Sequence, residues 1–171
     1  MQGRFWLFPA AFIVHDSEEI LTLPAWIASH QSVLNRVAQT NRLAAIAVEN
    51  LPRTTAAVAI AVGAELLVIA MATLAVTRRP RGASLNIYAA LLGLFTLHAL
   101  THYGQALFFH GYTPGLITAA LIIPAFSGHL YRRLVPDPLS VRAAVMSAAI
   151  GLLLFLPIVE LAQLAGHALT S

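Results

Sequence analysis

Cysteine is absent from the 171-residue chain, and so is lysine. The first absence removes disulfides, thiol catalysis, iron–sulfur clusters and thiolate metal sites together. The second leaves ten arginines as the whole cationic complement, against seven acidic residues, for a formal net charge of +3. That set is too small and too scattered to form a nucleic-acid binding stripe, so no nucleic-acid partner is expected. Charged residues make up only 10% of the chain and hydrophobic ones 58%, whereas an ordinary soluble domain is about 25% charged. This composition excludes intrinsic disorder and most soluble folds. It points to one membrane-embedded domain over residues 1–171, with the lipid bilayer as its partner. No internal repeat, low-complexity segment or linker divides the chain.

Backbone N–H and C=O groups in lipid must be satisfied internally, so long apolar stretches are expected to be helices of roughly 20 residues. Four are clear: Thr54 to Thr77, Leu85 to Phe109, Thr113 to Tyr131 and Ala143 to Ala165. A fifth, Phe5 to Trp26, has the right length but holds His15, Asp16, Glu18 and Glu19 near its middle. Pro9 and that acidic cluster exclude a cleaved signal peptide. Between Ala28 and Leu51, polar Asn35, Arg36, Gln39 and Arg42 alternate with Val33, Val37, Leu43 and Ile46, the pattern of an amphipathic helix lying along the interface. Pro24 and Pro52 bracket it. The expected fold is therefore all-α: an integral membrane helical bundle of about five transmembrane helices plus an interfacial amphipathic helix.

Arg4, Arg78, Arg79, Arg81, Arg132, Arg133 and Arg142 fall on one side of that arrangement, and only Arg36, Arg42 and Arg53 on the other. The positive-inside rule makes the first side cytoplasmic. The expected location is the plasma (inner) membrane, with the N-terminus cytoplasmic and the C-terminus outside. Trp6, Trp26, Tyr88, Tyr112 and Tyr131 stand near span ends and read as interfacial anchors.

Ionisable residues near a bilayer midplane cost several kcal/mol unless paired or hydrated, so each is a candidate functional group. His15, Glu18 and Glu19 stand at i, i+3 and i+4, on one helix face within about one turn. His98, His102 and Gln105 share a second face. Glu160, Gln163 and His167 repeat that spacing on the last span, and Glu65 is alone at the middle of another. At roughly 1.5 Å of rise per residue, His15 and His98 reach similar depth, with Glu19 and His102 one turn further out. His129 belongs to the cytoplasmic end, beside Arg132 and Arg133, and not to this set.

Two histidines at i and i+4, with carboxylates and a third histidine from neighbouring helices, form the donor mix that Zn, Fe or Mn accepts. A divalent transition metal also stabilises carboxylate and neutral imidazole together, which burial alone does not. A hydrogen-bonded polar core joining helices would use the same residue types, but five or more such groups at matching depth are an expensive way to pack helices. The expected metal ligands are His15, Glu19, His98, His102 and Glu160, with Glu65 and Gln105 as possible additions. Glu18 is the expected catalytic base, or else a group that holds a ligand histidine by a hydrogen bond.

The run His15-Asp16-Ser17-Glu18-Glu19 spells H-x-x-E-E. It resembles the HXXEE family of multi-span membrane proteins, named for that motif. The segments His102-Tyr103-Gly104-Gln105 and Tyr112-Thr113-Pro114-Gly115-Leu116-Ile117-Thr118 resemble other recurrent stretches of the same family. The resemblance implies a multi-span bundle with a metal site that includes His15, Glu18 and Glu19, and it supplies no reaction. Membrane desaturases share the His98-x-x-x-His102 spacing, but the chain lacks their HxxHH clusters, and His15 lacks the partners of an HExxH protease. The function expected from the residues is a membrane-embedded, metal-dependent enzyme of hydrolase or hydratase type acting on a lipid-like substrate. The alternatives are a non-catalytic ion or proton pathway and a non-haem iron oxidase.

Overall fold

The computed structural model describes residues 2–134 and, beyond them, Arg142, Val145, Met146 and Ala149. Among the described residues every regular element is helical. A 3-10 turn, Gln2–Trp6, leads into α1 (Leu7–Ser29); α2 (Gln31–Ala38), α3 (Arg42–Glu49), α4 (Thr55–Arg78), α5 (Ala83–Phe108), α6 (Leu116–Leu121) and α7 (Ile123–Leu134) follow. The expected all-helical bundle is thus present. Among the described residues, only α4 and α5 are both long and apolar enough to cross a membrane. α1 has the length, but its acidic residues separate it from that pair. Most of the stretch Ala143 to Ala165, with Glu160 and Gln163 in it and His167 after it, lies outside the described residues.

Local chemistry sets the ends of these elements. Thr54 accepts the Ala57 N–H at 3.1 Å and opens α4, and Asn41 accepts the Ala44 N–H at 2.9 Å and opens α3, each satisfying one donor that the first turn leaves without an intrahelical partner. Three sequence expectations need correction. The amphipathic stretch is two short helices, α2 and α3, packed on each other, because the chain turns at Gln39–Asn41. Pro24 does not bracket that stretch, since α1 continues through it to Ser29. Thr113 to Tyr131 is not a single helix. Pro124 has no N–H to donate and its ring crowds the carbonyl four residues back, and the chain breaks at Ile122 into α6 and α7.

The main core joins α1, α4, α5, α6 and α7. α1 packs chiefly on α4, whose buried positions include the small residues Ala57, Ala61, Ala72 and Thr73; such residues let helix backbones approach closely. Between α1 and α5 the space is filled by rings. Phe5 and Phe8 meet Tyr88 edge-on at 5.3 and 5.6 Å, and Phe8 and Phe12 meet Phe95 at 5.4 and 6.0 Å. Tyr88 is fully buried and donates to the Phe5 carbonyl at 3.0 Å. It is a core residue and not the interfacial anchor its position suggested. This ladder fixes the register of α1 against α5, and the next rung above Phe12 is His15. A second, smaller cluster of Ile27, Leu34 and Val48 holds the α2–α3 pair against the far end of α1.

Candidate metal centre

His15 is completely buried and His102 nearly so. The His15 ring stands edge-on to His98 at 5.3 Å and to His102 at 4.9 Å, and His98 and His102 are 4.4 Å apart by ring centroid. Glu19, one turn above His15 on α1, brings Oε1 to 3.3 Å from His102 Nε2 and 3.7 Å from His98 Nε2. The two Nε2 atoms are 2.9 Å apart, a separation that a shared proton or a shared cation can hold. One donor atom from each of His15, Glu19, His98 and His102 lies within 4.8 Å of the other three. Tetrahedral coordination with metal–nitrogen bonds of about 2.0–2.1 Å requires donors roughly 3.3 Å apart, close to the separations among Glu19, His98 and His102. The structure therefore gathers four of the expected ligands into a cluster that could hold a metal ion.

His15 is held by a polar chain from α6. Its Nδ1 lies 2.8 Å from the Thr118 hydroxyl, and that hydroxyl donates to Glu18 Oε2 at 2.6 Å. A hydroxyl carries one proton. With that proton on the Glu18 carboxylate, Thr118 accepts from His15, which fixes the hydrogen on Nδ1 and leaves the lone pair on Nε2. That Nε2 is buried and has no hydrogen-bond partner among the described residues, as a ligand atom requires.

The remaining lone pairs of Glu18 are engaged as well. Oε2 also accepts the Thr118 N–H at 2.8 Å, while Oε1 accepts the Ile117 N–H at 3.2 Å and the Tyr112 hydroxyl at 2.8 Å. Glu18 thus caps the first turn of α6 from another helix, supplying an acceptor and a negative charge where the backbone donors lack partners. Burial raises the Tyr112 phenol above its ordinary value, which keeps it protonated as a donor to Glu18.

Gly115 closes the site on the α6 side. Its φ of +80° lies in the left-handed region that glycine enters without steric penalty. A Cβ there would stand 2.5 Å from His102 Cε1 and 3.0 Å from both His102 Nδ1 and Glu19 Oε1. The backbone therefore lies directly against two of the four donors, where no side chain fits.

The other expected site residues are placed differently. Glu65, half-buried on α4, lies near enough to His98 and Glu19 to interact with their charges, while Gln105 is exposed on α5. Three participants were given no role by the sequence, although Gly115 and Thr118 lie in a segment that resembles a recurrent stretch of the family. Thr118 and Gly115 reach the site only through the fold, a hundred residues from the motif. Asp16, a spacer within the motif, is buried with Oδ2 unpartnered among the described residues and interacts with Glu19 and Glu65. Its only sequence signal was its acidity within an apolar run.

Three imidazoles and a carboxylate converging inside an all-helical bundle, with a hydrogen-bonded support behind one of them, define a helical protein with a candidate metal-binding core. The chain belongs to the HXXEE family, described as proteins of unknown function with an HXXEE motif, which it matches over residues 6–127. That range takes in all four clustered donors together with Glu18, Gly115 and Thr118. No curated protein and no solved structure matches the chain.

Proposed function

We propose that this protein is a membrane-embedded metal-dependent enzyme, of hydrolase or hydratase type, acting on a lipid-like substrate. One observation carries the reading: His15, Glu19, His98 and His102 converge within 4.8 Å while Glu18 and Thr118 fix His15 in the tautomer that presents a lone pair. Holding a donor by a hydrogen bond from behind is the usual support of a metal-ligating histidine. The ligands are His15, His98, His102 and Glu19, for Zn, Fe or Mn. Catalytic sites of this kind combine three protein ligands with an open position, and three imidazoles with one carboxylate supply either that set or a fourth ligand. A divalent ion there supplies Lewis acidity. The chain's own contribution is to hold the donors, to close the α6 side with the Gly115 backbone, and to offer Glu65 as a nearby proton acceptor. With all its near lone pairs occupied, Glu18 acts as a positioning residue.

Membrane embedding is supported by the two apolar helices and by large exposed side chains on four helices: Leu21 is 76% exposed and Leu121 67%, with Leu67 and Leu100 close behind. Exposed apolar surface on this scale is what a lipid environment covers. In this reading α1 spans as well. Arg4 and Arg133 line one cavity, and the 3-10 turn that carries Arg4 packs against α4; in this reading the arginine-rich end is the cytoplasmic one.

The test is metal content of protein purified without chelator, together with turnover of a panel of lipid esters. The expected result is one or more transition-metal ions per chain, reduced in both His102→Ala and Glu19→Gln. Protein that contains no metal and gains no thermal stability from added Zn, Mn or Fe(II) would overturn the metal centre. A second reading draws on the carboxylates of Asp16, Glu65 and Glu19 that interact between α1 and α4: a proton or ion pathway. Proton flux in liposomes, without turnover of any ester, would favour it.

A further inference from the structure

At the opposite end of α1 from its C-terminus, Gly3, Arg4, His129 and Arg133 line an open cavity of about 440 Å³. It is separate from the metal centre, since His15 lies eight residues beyond Leu7, roughly 12 Å of helix. The formal charges of its lining are those of the two arginines. Two guanidiniums and an imidazole converge there, and no carboxylate of the described residues joins them.

Folding brings together groups that are far apart in sequence. Arg4 comes from the 3-10 turn before α1, while His129 and Arg133 stand one turn apart on α7 and so share a face. The Arg4 guanidinium lies over the Phe5 ring, 5.2 Å from its centroid. Its Nε is buried and has no hydrogen-bond partner among the described residues. A buried donor on a cation is costly to leave unmet. Like charges facing one cavity also repel unless an anion lies between them. The α4–α5 connection, which carries Arg79 and Arg81, leads into α5 a few residues before Tyr88, whose hydroxyl bonds the Phe5 carbonyl beside Arg4, so those arginines stand at the same end.

We propose that this cavity binds a phosphate-class oxyanion, the planar guanidiniums of Arg4 and Arg133 each engaging its oxygens and His129 adding an N–H donor. Guanidinium matches phosphate oxygens in paired, directional hydrogen bonds. Two sources present that chemistry at this end of the bundle: the headgroup of an anionic phospholipid and free inorganic phosphate. The proposal concerns residues outside the metal centre, so it stands or falls independently of the enzymatic reading.

The experiment uses the full chain in nanodiscs. In the lipid arm, retention of phosphatidylglycerol against phosphatidylcholine is read by native mass spectrometry. In the phosphate arm, inorganic phosphate is titrated onto protein in phosphatidylcholine discs. Both arms compare wild type with Arg4→Gln/Arg133→Gln, with Gly3→Asp, and with Arg36→Gln at the far end of the molecule as control. Gly3→Asp is informative because a Cβ at Gly3 meets nothing within 4 Å, so the added carboxylate fits without disturbing the fold and competes for the arginines. The expected loss is about fivefold for each arginine removed, about 25-fold for the pair, with a comparable loss in Gly3→Asp and none in Arg36→Gln. A loss confined to the lipid arm assigns the site to a headgroup, and one confined to the phosphate arm to the free ion. Equal binding by wild type, the double variant and Gly3→Asp in both arms would overturn the proposal.

Discussion

Replacing Gly115 with alanine is expected to damage the metal centre from the side opposite its ligands. The native φ of +80° is one that an L-residue adopts at a cost of about 1–2 kcal/mol. The new methyl would stand 2.5 Å from His102 Cε1, about 1 Å inside ordinary contact. His102 is nearly fully buried, so its ring cannot swing into open space, and forcing a close-packed group aside costs about 1–3 kcal/mol more. Together these give about 2–5 kcal/mol, several degrees in Tm for a chain of this length. Displacing His102 also moves its Nε2 from Glu19 and His98, so metal affinity is expected to fall by at least about tenfold. Gly104→Ala is the matched control: a Cβ there meets nothing within 4 Å, and alanine in a helix interior is favoured over glycine by roughly 1 kcal/mol. Thermal unfolding with and without added Zn, and Zn titration of both variants, makes the comparison. If Gly115→Ala binds Zn within about twofold of wild type and unfolds at the same temperature, the close approach of backbone to His102 and Glu19 has no functional weight and the reasoning fails.

Thr118→Val, which keeps shape but removes the hydroxyl between Glu18 and His15, is expected to weaken metal binding by about 10–100-fold, while Thr118→Ser stays near wild type; equal Zn affinities in all three would mean that the hydroxyl does not set the His15 tautomer. Tyr88→Phe retains the ring ladder but leaves the Phe5 carbonyl without its donor; thermal unfolding is expected to show a loss of about 1 kcal/mol with metal content unchanged. Single cysteines placed at the exposed positions Ser29 and Ala83, in a chain with no cysteine of its own, should label with an impermeant reagent from opposite sides of the membrane, Ser29 from outside. Labelling of both from one side would rule out a membrane between the two ends of the bundle.

The parts of the centre that depend on helical spacing were legible in the sequence. His15 and Glu19, and likewise His98 and His102, share faces because four residues make about one turn, and matching depths followed from rise per residue. The support on α6 was legible only as a segment that resembles a recurrent stretch of the family, without a role for any residue in it. Nothing local marks Thr118 as the partner of a histidine 103 residues earlier, or Gly115 as a close approach and not an ordinary turn glycine. The α6–α7 break was missed for a different reason. Hydropathy averages over Pro124, whereas the backbone responds to one missing N–H. Tyr88 was misplaced because its position near a span end resembles that of an anchor, and only the fold shows Phe5 and Phe8 closing over it.

The ladder of rings between α1 and α5 has a bearing on direction. From Phe5 through Tyr88, Phe8, Phe95 and Phe12 to His15, that seam is built of rings and offers no relay of exchangeable hydrogens beyond the single Tyr88 hydroxyl, which is already committed to Phe5. It acts as an insulator between the histidine cluster and the arginine-lined end. In the proposed reading, proton movement to or from the histidines therefore runs on the α4 side, where Asp16 and Glu65 interact with Glu19, and not between α1 and α5.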